Sequence, residues 1–379
     1  MTIASGANVE MSYVKETTHG TTPGSPSMKE LRATSRNINP AKEILDSEEQ
    51  RSHRQIQDFR HGFESVGGNL AHELALQDFD EMIAAALATS FSAGNSTGTT
   101  TLDIDAIAGE IQRSSGDFTT DGFEAGDYVE LTGFAESENN SIRRVTSVSS
   151  LSMGLADPDS TLVTESGGGD EECAVKGQKA KIGSTLTTFT IERRFTDIPK
   201  YQVFRGVAIN QYSLAIQPDS IITATMDMLG MDSDDISDSS LGAPTAAQGS
   251  NPFDAFTGEG VEGGSLITIL TGLNFSINNQ RSVESRLFSK TSPDVFEGIA
   301  NVSGDMTVYF EDESLFTKFK NETETSLLVK LDDPNGTDFH AIHFPELFIM
   351  RLEWILRRMA PLSCRFRFKP NMIQRLQRH

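Results

Sequence analysis

Cysteine is nearly absent: Cys173 and Cys364 are the only two in 379 residues. They lie far apart with no second metal-type ligand nearby, which excludes a disulfide framework and a cysteine-based zinc cluster as sources of stability. Aromatic residues are also few, with one tryptophan, Trp354, and five tyrosines. The exposed aromatic platforms of a glycan-binding module are therefore poorly supplied. Basic charge is short as well. Lys and Arg number 32 against 54 Asp and Glu, a net charge of −22, and such a surface repels phosphate, which disfavours a general nucleic-acid binder. No run of eighteen apolar residues is available for a membrane helix. The opening MTIASGANVE has neither the basic nor the apolar part of a secretory signal. The expectation is a soluble chain, made in a cytoplasm, with no membrane partner.

What remains is a globular balance, 37% hydrophobic and 23% charged, in a chain too long for one ordinary domain of about 100–200 residues. Glycine-rich, polar text at 93–101 and 165–177 brackets short alternating runs that read as a small all-β insertion. A third break, 239–265, loses all periodicity. The expected division is 1–93 and 184–240 as the first domain with an N-terminal arm, 94–183 as the insertion, 241–264 as a linker and 265–379 as the second domain. Most of the rest is strand material. Ile222, Ala224, Met226 and Met228 alternate with Thr223, Thr225 and Asp227. The preceding YQVFRGVAINQYSLAI reads as two strands with a turn near Asn210. Helical signal is sparse: Asp78 is placed to cap a helix whose apolar face is Phe79, Met82, Ile83, Ala86 and Leu87.

The chain repeats itself. VGGNLAHELALQDFDEMI at 66–83 aligns without a gap to VSGDMTVYFEDESLFTKF at 302–319. Val66 meets Val302, Gly68 meets Gly304, Leu70 meets Met306 and Leu74 meets Phe310 on one strand face, with Asn69 and Asp305 on the other. Phe79 and Ile83 then meet Leu315 and Phe319 at helical spacing, and RNINP at 36–40 resembles FSINN at 275–279 after a slip of three positions. A strand, turn and short helix thus occur twice.

No reactive constellation emerges. His340 and His343 form an H-x-x-H on a strand, where residues three apart point to opposite faces. The acidic run from Asp232 lacks the glycine and closing glutamate of a calcium loop. Gly167, Gly168 and Gly169 are followed by no Lys-Ser or Lys-Thr and read as a linker, and the pairs Arg143–Arg144 and Arg193–Arg194 read as surface ion pairs. No catalytic, cofactor-binding or metal-binding residue is assigned, no cofactor is expected, and an enzyme is disfavoured.

Four pieces, LRATSRNINPAKEI, SVGGNLAHELALQDFDEMIAAAL, FTIERRFTDIPKYQVFRGVAINQYSLAIQPDSIITATMDMLG and PDVFEGIANVSGDMTVYFEDESLFTKF, resemble the major tail tube proteins of long-tailed bacteriophages. The similarity spans 28–92 and 184 to about 347. It implies a mainly β chain: two duplicated tail-tube β-sandwich folds, each with a short flanking helix, plus the small all-β insertion projecting outward. It further implies a structural virion subunit, assembled in the host cytoplasm, whose partners are itself, in trimeric pseudo-sixfold rings stacked into a tube, a tape measure protein, and tail terminator or baseplate proteins. DNA would pass through the lumen without specific binding. The polar stretch from Met1 to Ser27 would suit an arm reaching a neighbour. The alternative class is a β-sandwich carbohydrate-binding or adhesion module of a virion.

The end of the chain departs from the rest. From Ile349 onward Arg351, Arg357, Arg358, Arg365, Arg367, Lys369, Arg375 and Arg378 face one acid, Glu353. A basic tail for nucleic acid or an acidic neighbour is one account. The other is a frameshift near Phe348. Read one base earlier, the codons from Cys364 permit Met-Pro-Phe-Gln-Val-Gln-Ala-Gln-Tyr-Asp-Ser-Ala-Thr-Ala-Thr-Pro, and those after Met350 permit Glu-Ala-Gly-Met-Asp-Thr-Pro-Glu-Asp-Gly-Pro.

Overall fold

The computed structural model describes residues 3–49, 58–333, 338–355, 361–370 and 375–378. The first half runs β1 (Val9–Lys15), β2 (Ser35–Asp46), β3 (Phe59–Glu73), α1 (Asp80–Ala86), β4 (Gln178–Lys181), β5 (Phe189–Phe195), β6 (Lys200–Ile216) and β7 (Thr223–Gly230). The second runs β8 (Gly258–Glu262), β9 (Leu270–Asn278), β10 (Asn301–Tyr309), α2 (Ser314–Lys320), β11 (Thr325–Asp332), β12 (Phe339–Ile355), β13 (Ser363–Pro370) and β14 (Arg375–Arg378).

Antiparallel pairing joins eight of these strands in the order β2-β3-β7-β6-β9-β10-β13-β12. Each half contributes four, in the same relative order. The long strands β6 and β12 cross between layers. Their first parts pair with β5 and β11, which continue to β1 and β8 and make the second layer of each sandwich. Helix α1 packs on β6 and α2 on β12. Phe204, Tyr212, Phe275, Phe344 and Phe368 fill one core that is continuous through both halves.

The duplication extends to the irregularities. Register slips between Phe189 and Ile191 against β6, and between Thr325 and Leu327 against β12. It slips again between Ile209 and Gln211, and between Ile349 and Arg351. β6 therefore maps onto β12, and β7 onto β13, in one common register that sets Phe204 on Phe344 and Met226 on Phe366. Two bulges at matching places are hard to produce by chance similarity of amphipathic strands. The glycines agree: a Cβ on Gly68 would overlap the Asn37 carbonyl, and one on Gly304 would crowd the Asn274 carbonyl. Asn37 faces Asn69 and Asn274 faces Asp305, so β2 maps onto β9 with Asn37 on Asn274. The RNINP alignment is two positions off this register, an error that keeps face parity because the strand period is two.

Several local expectations are corrected. Asn210 sits in a bulge inside one long strand, because the hydrophobic set continues past it into β9's partner face. Asp78 does not cap α1; Phe79 occupies that position, and Asp78 instead accepts from Arg32 at 2.5 Å and from the Gln248 amide at 2.8 Å. The N-terminal stretch is no free arm: Met11 and Tyr13 alternate into the core from β1, and the buried Glu16 accepts from Thr188, Thr190 and the amides of Gly20 and Gly206. The stretch expected as a linker supplies β8 and the buried Phe253, whose amide bonds the Leu74 carbonyl. Phe310, matched to the buried Leu74, is 42% exposed.

Six short strands between Asp103 and Val175 form a separate sheet around Ile104, Ile111, Phe118, Val129, Leu131 and Met153. The glycine triplet is folded onto the Glu171 carboxylate, which accepts from the amides of Gly168, Gly169 and Leu102. Burial opposes ionisation of Glu171, but these amides outweigh it and hold its carboxyl below the usual range. Arg143, expected in a surface pair, is buried against Asp157 at 2.6 Å. Across the sheet boundary, Tyr128 packs with Val261, Leu328, Phe339 and Ala341 of the second half, and its hydroxyl bonds Glu259. The two connections of this module to the larger sheet meet: the Gly94 amide donates to the Gly177 carbonyl at 3.0 Å.

Candidate functional surface

A strand buries every second residue, so the eight-stranded sheet has one apolar face and one outward face. The apolar rows are uniform: Leu70, Met226, Tyr212 and Ile277 are neighbours across four strands, and all are buried. The outward rows are equally uniform in the opposite sense. One runs Asn37, Asn69, Asp227, Gln211, Asn278, Asn301. The next runs Ser35, Ala71, Thr225, Ser213, Ser276, Ser303. A third runs Glu73, Thr223, Ala215, Asn274, Asp305 and continues to Arg367 and Arg351.

Both halves thus supply one unbroken polar surface, joined at the β6–β9 pairing, where Gln211 faces Asn278 and Ser213 faces Ser276. A groove of about 490 Å³ on this face is lined by Ser213, Thr225, Asn274, Ser303, Asp305 and Arg367, among others. Chemically these rows are short amides, hydroxyls and a few carboxylates. They offer neither a nucleophile beside a base nor a cluster of ligands, and no group of three His, Cys, Asp or Glu that could hold a metal occurs among the described residues. His340 and His343 stand on opposite faces of β12, His340 in the core. The cations of the surface are confined to its last two strands: Arg351 beside Glu353 at 2.8 Å, Arg367 beside Asp305 at 3.2 Å, and the exposed Arg365 and Lys369.

Sequence reasoning assigned no site residues and missed this surface. The alternation was visible in Thr223, Thr225 and Asp227; which strands lie side by side was not. The edges of the sheet are β2 and the end of β12. Among the described residues β2 pairs only with β3, and Arg351–Ile355 pair only with β13.

A family model described as phage tail tube protein matches residues 6–346. No curated protein matches the chain.

Proposed function

Because the chain belongs to the phage tail tube protein family and is a structural subunit of a virion tail, we propose that three copies close a pseudo-sixfold ring and that rings stack into the genome's conduit. The observation that carries this reading is the internal β6–β9 junction. Two equivalent four-stranded units are already joined edge to edge there, and the molecule's two remaining edges, β12 and β2, are the repeat equivalents of β6 and β9. Repeating the junction between copies places Glu353 against Asn39 and Ile355 against Asn37, as Ser213 meets Ser276 and Ala215 meets Asn274. Three chains then give six units and leave no open edge, which removes the aggregation hazard of exposed strands.

The polar sheet face lines the lumen. Outside the last two strands, which carry the cations, its amides, hydroxyls and carboxylates give duplex DNA nothing to hold. The insertion seats on β8 and β11 of the second layer, remote from that face, and projects outward. Tape measure and tail terminator or baseplate proteins are the further partners, and assembly takes place in the host cytoplasm. Cryo-microscopy of tubes grown from purified protein tests the arrangement. Three chains per ring with the polar rows inward are expected; six chains per ring, or the apolar insertion core facing the lumen, would overturn it.

A further inference from the structure

From the repeat register, we infer that the native polypeptide leaves this reading frame near codon 348 and carries an acidic turn and a neutral strand where residues 349–370 are basic. The family match ends at residue 346, three positions before the composition turns. Up to Phe348 the two halves agree in pattern; beyond it the outward positions diverge. β7 maps onto β13, so Ala224, Met226 and Met228 correspond to Cys364, Phe366 and Phe368, all buried. Their outward neighbours Thr225 and Asp227 correspond to Arg365 and Arg367. The core pattern survives while the surface chemistry inverts.

The genetic code explains that combination. Read one base earlier, the first base of each codon becomes the middle base of the new one. Cys and Phe codons begin with U, and a middle U always encodes an apolar residue, so positions 364, 366 and 368 stay apolar in either frame. Arginine codons begin AG or CG, and after Cys364 or Phe366, whose codons end in U or C, the shifted sense readings are Gln, Ser or Pro; Lys369 after Phe368 gives Gln. One text that the shifted frame permits is Met, Pro, Phe, Gln, Val, Gln at positions 364–369. It keeps every inward residue apolar and removes the cations of Arg365, Arg367 and Lys369.

The turn offers a second comparison. β6 runs into β7 through Gln217, Pro218, Asp219 and Ser220, with Asp219 in the left-handed region at φ 54°. The register that sets Phe204 on Phe344 carries these onto positions 357–360, which read Arg, Arg, Met, Ala in this frame. The shifted frame permits Pro, Glu, Asp, Gly there, the glycine being fixed because AUG for Met359 runs into GC of the Ala360 codon. Asp-Gly suits the positive φ that Asp219 adopts between β6 and β7, and Met-Ala does not.

The experiment is peptide mapping of the subunit purified from its native virion, together with sequencing of the gene across codons 340–379. It reads the polypeptide directly, so its outcome is independent of ring stoichiometry. Peptides of the shifted frame, of which Gln-Val-Gln-Ala-Gln-Tyr is one permitted reading and which the gene sequence fixes, are the expected result in whatever proportion. A peptide map that covers 349–370 in this frame alone, for example with a peptide spanning Ile349 to Trp354, would overturn the inference.

Discussion

At the scale of single residues, the repeat places glycine where two strands approach too closely for any side chain. Gly68 has φ +154°, and its missing Cβ position is filled by the Asn37 backbone; Gly304 would meet first the end of the Phe368 ring and then the Asn274 carbonyl at 2.8 Å. Backbone cannot yield as a ring can, so Gly68→Ala should cost at least ~2 kcal/mol and Gly304→Ala less. Thermal melts of the two variants check the ranking; equal losses would contradict it. Two histidines set an acid limit. Burial pushes His72, stacked on Phe79 at 3.7 Å, and His340 each down to about 4. Between the ordinary value of 6.5 and about 4 the unfolded chain binds protons that the folded one refuses. Stability is therefore full above the ordinary histidine value and falls as pH drops through that window, by on the order of 3 kcal/mol per histidine at most. Denaturant melts from pH 7 to 4 should show the decline, and His340→Leu should flatten it. The sequence exposed His340 as a strand residue but not as a core one, because burial depends on β11 lying beside β12.

Among elements, strands rich in alternation were legible and long-range pairing was not. The run from Ile222 to Met228 shows its inward set plainly, and α1 shows its stripe, since both are local patterns. The bulge at Asn210 looked like a turn because Asn commonly marks one; only the neighbouring strand reveals that pairing resumes beyond it. The stretch 241–264 looked like a linker for the same reason: Phe253 and Val261 are single apolar residues in polar text, and their partners Leu74 and Leu328 are distant in sequence. The insertion gives an element-scale prediction. Since Gly94 and Gly177 are hydrogen-bonded neighbours, joining them through two or three glycines removes the inner sheet without moving β4. The shortened chain should fold, with its Tm lowered because Val261, Leu328 and Phe339 lose their cover by Tyr128. A variant that stays soluble and monomodal in calorimetry meets the expectation; one that aggregates shows the module to be part of the tube core.

At the scale of the whole molecule, the decisive quantity for the proposed ring is the charge on the polar face that would line its lumen. With the basic end in place, each chain presents Arg351, Arg365, Arg367 and Lys369 on the last two strands of an otherwise cation-free set of rows. Three chains would put a dozen cations around every ring, and stacked rings would make continuous tracks for a phosphate backbone. Four phosphate contacts from one chain alone would make binding fall with salt at a log–log slope of about −3.6, a grip that a conduit for rapid transit should not have. A chain carrying the shifted end has none of these cations, and in the proposed ring its lumen would repel the duplex. Tubes grown from both chains can be compared directly by measuring retention of a labelled duplex of lumen-compatible width across a salt series running from about 50 mM to well above 200 mM, the range over which such contacts are lost. Salt-dependent retention by the basic-ended tubes, and none by the others, is the expected pair of results. Identical behaviour would mean that the polar sheet face does not line the channel, whichever end the native subunit carries.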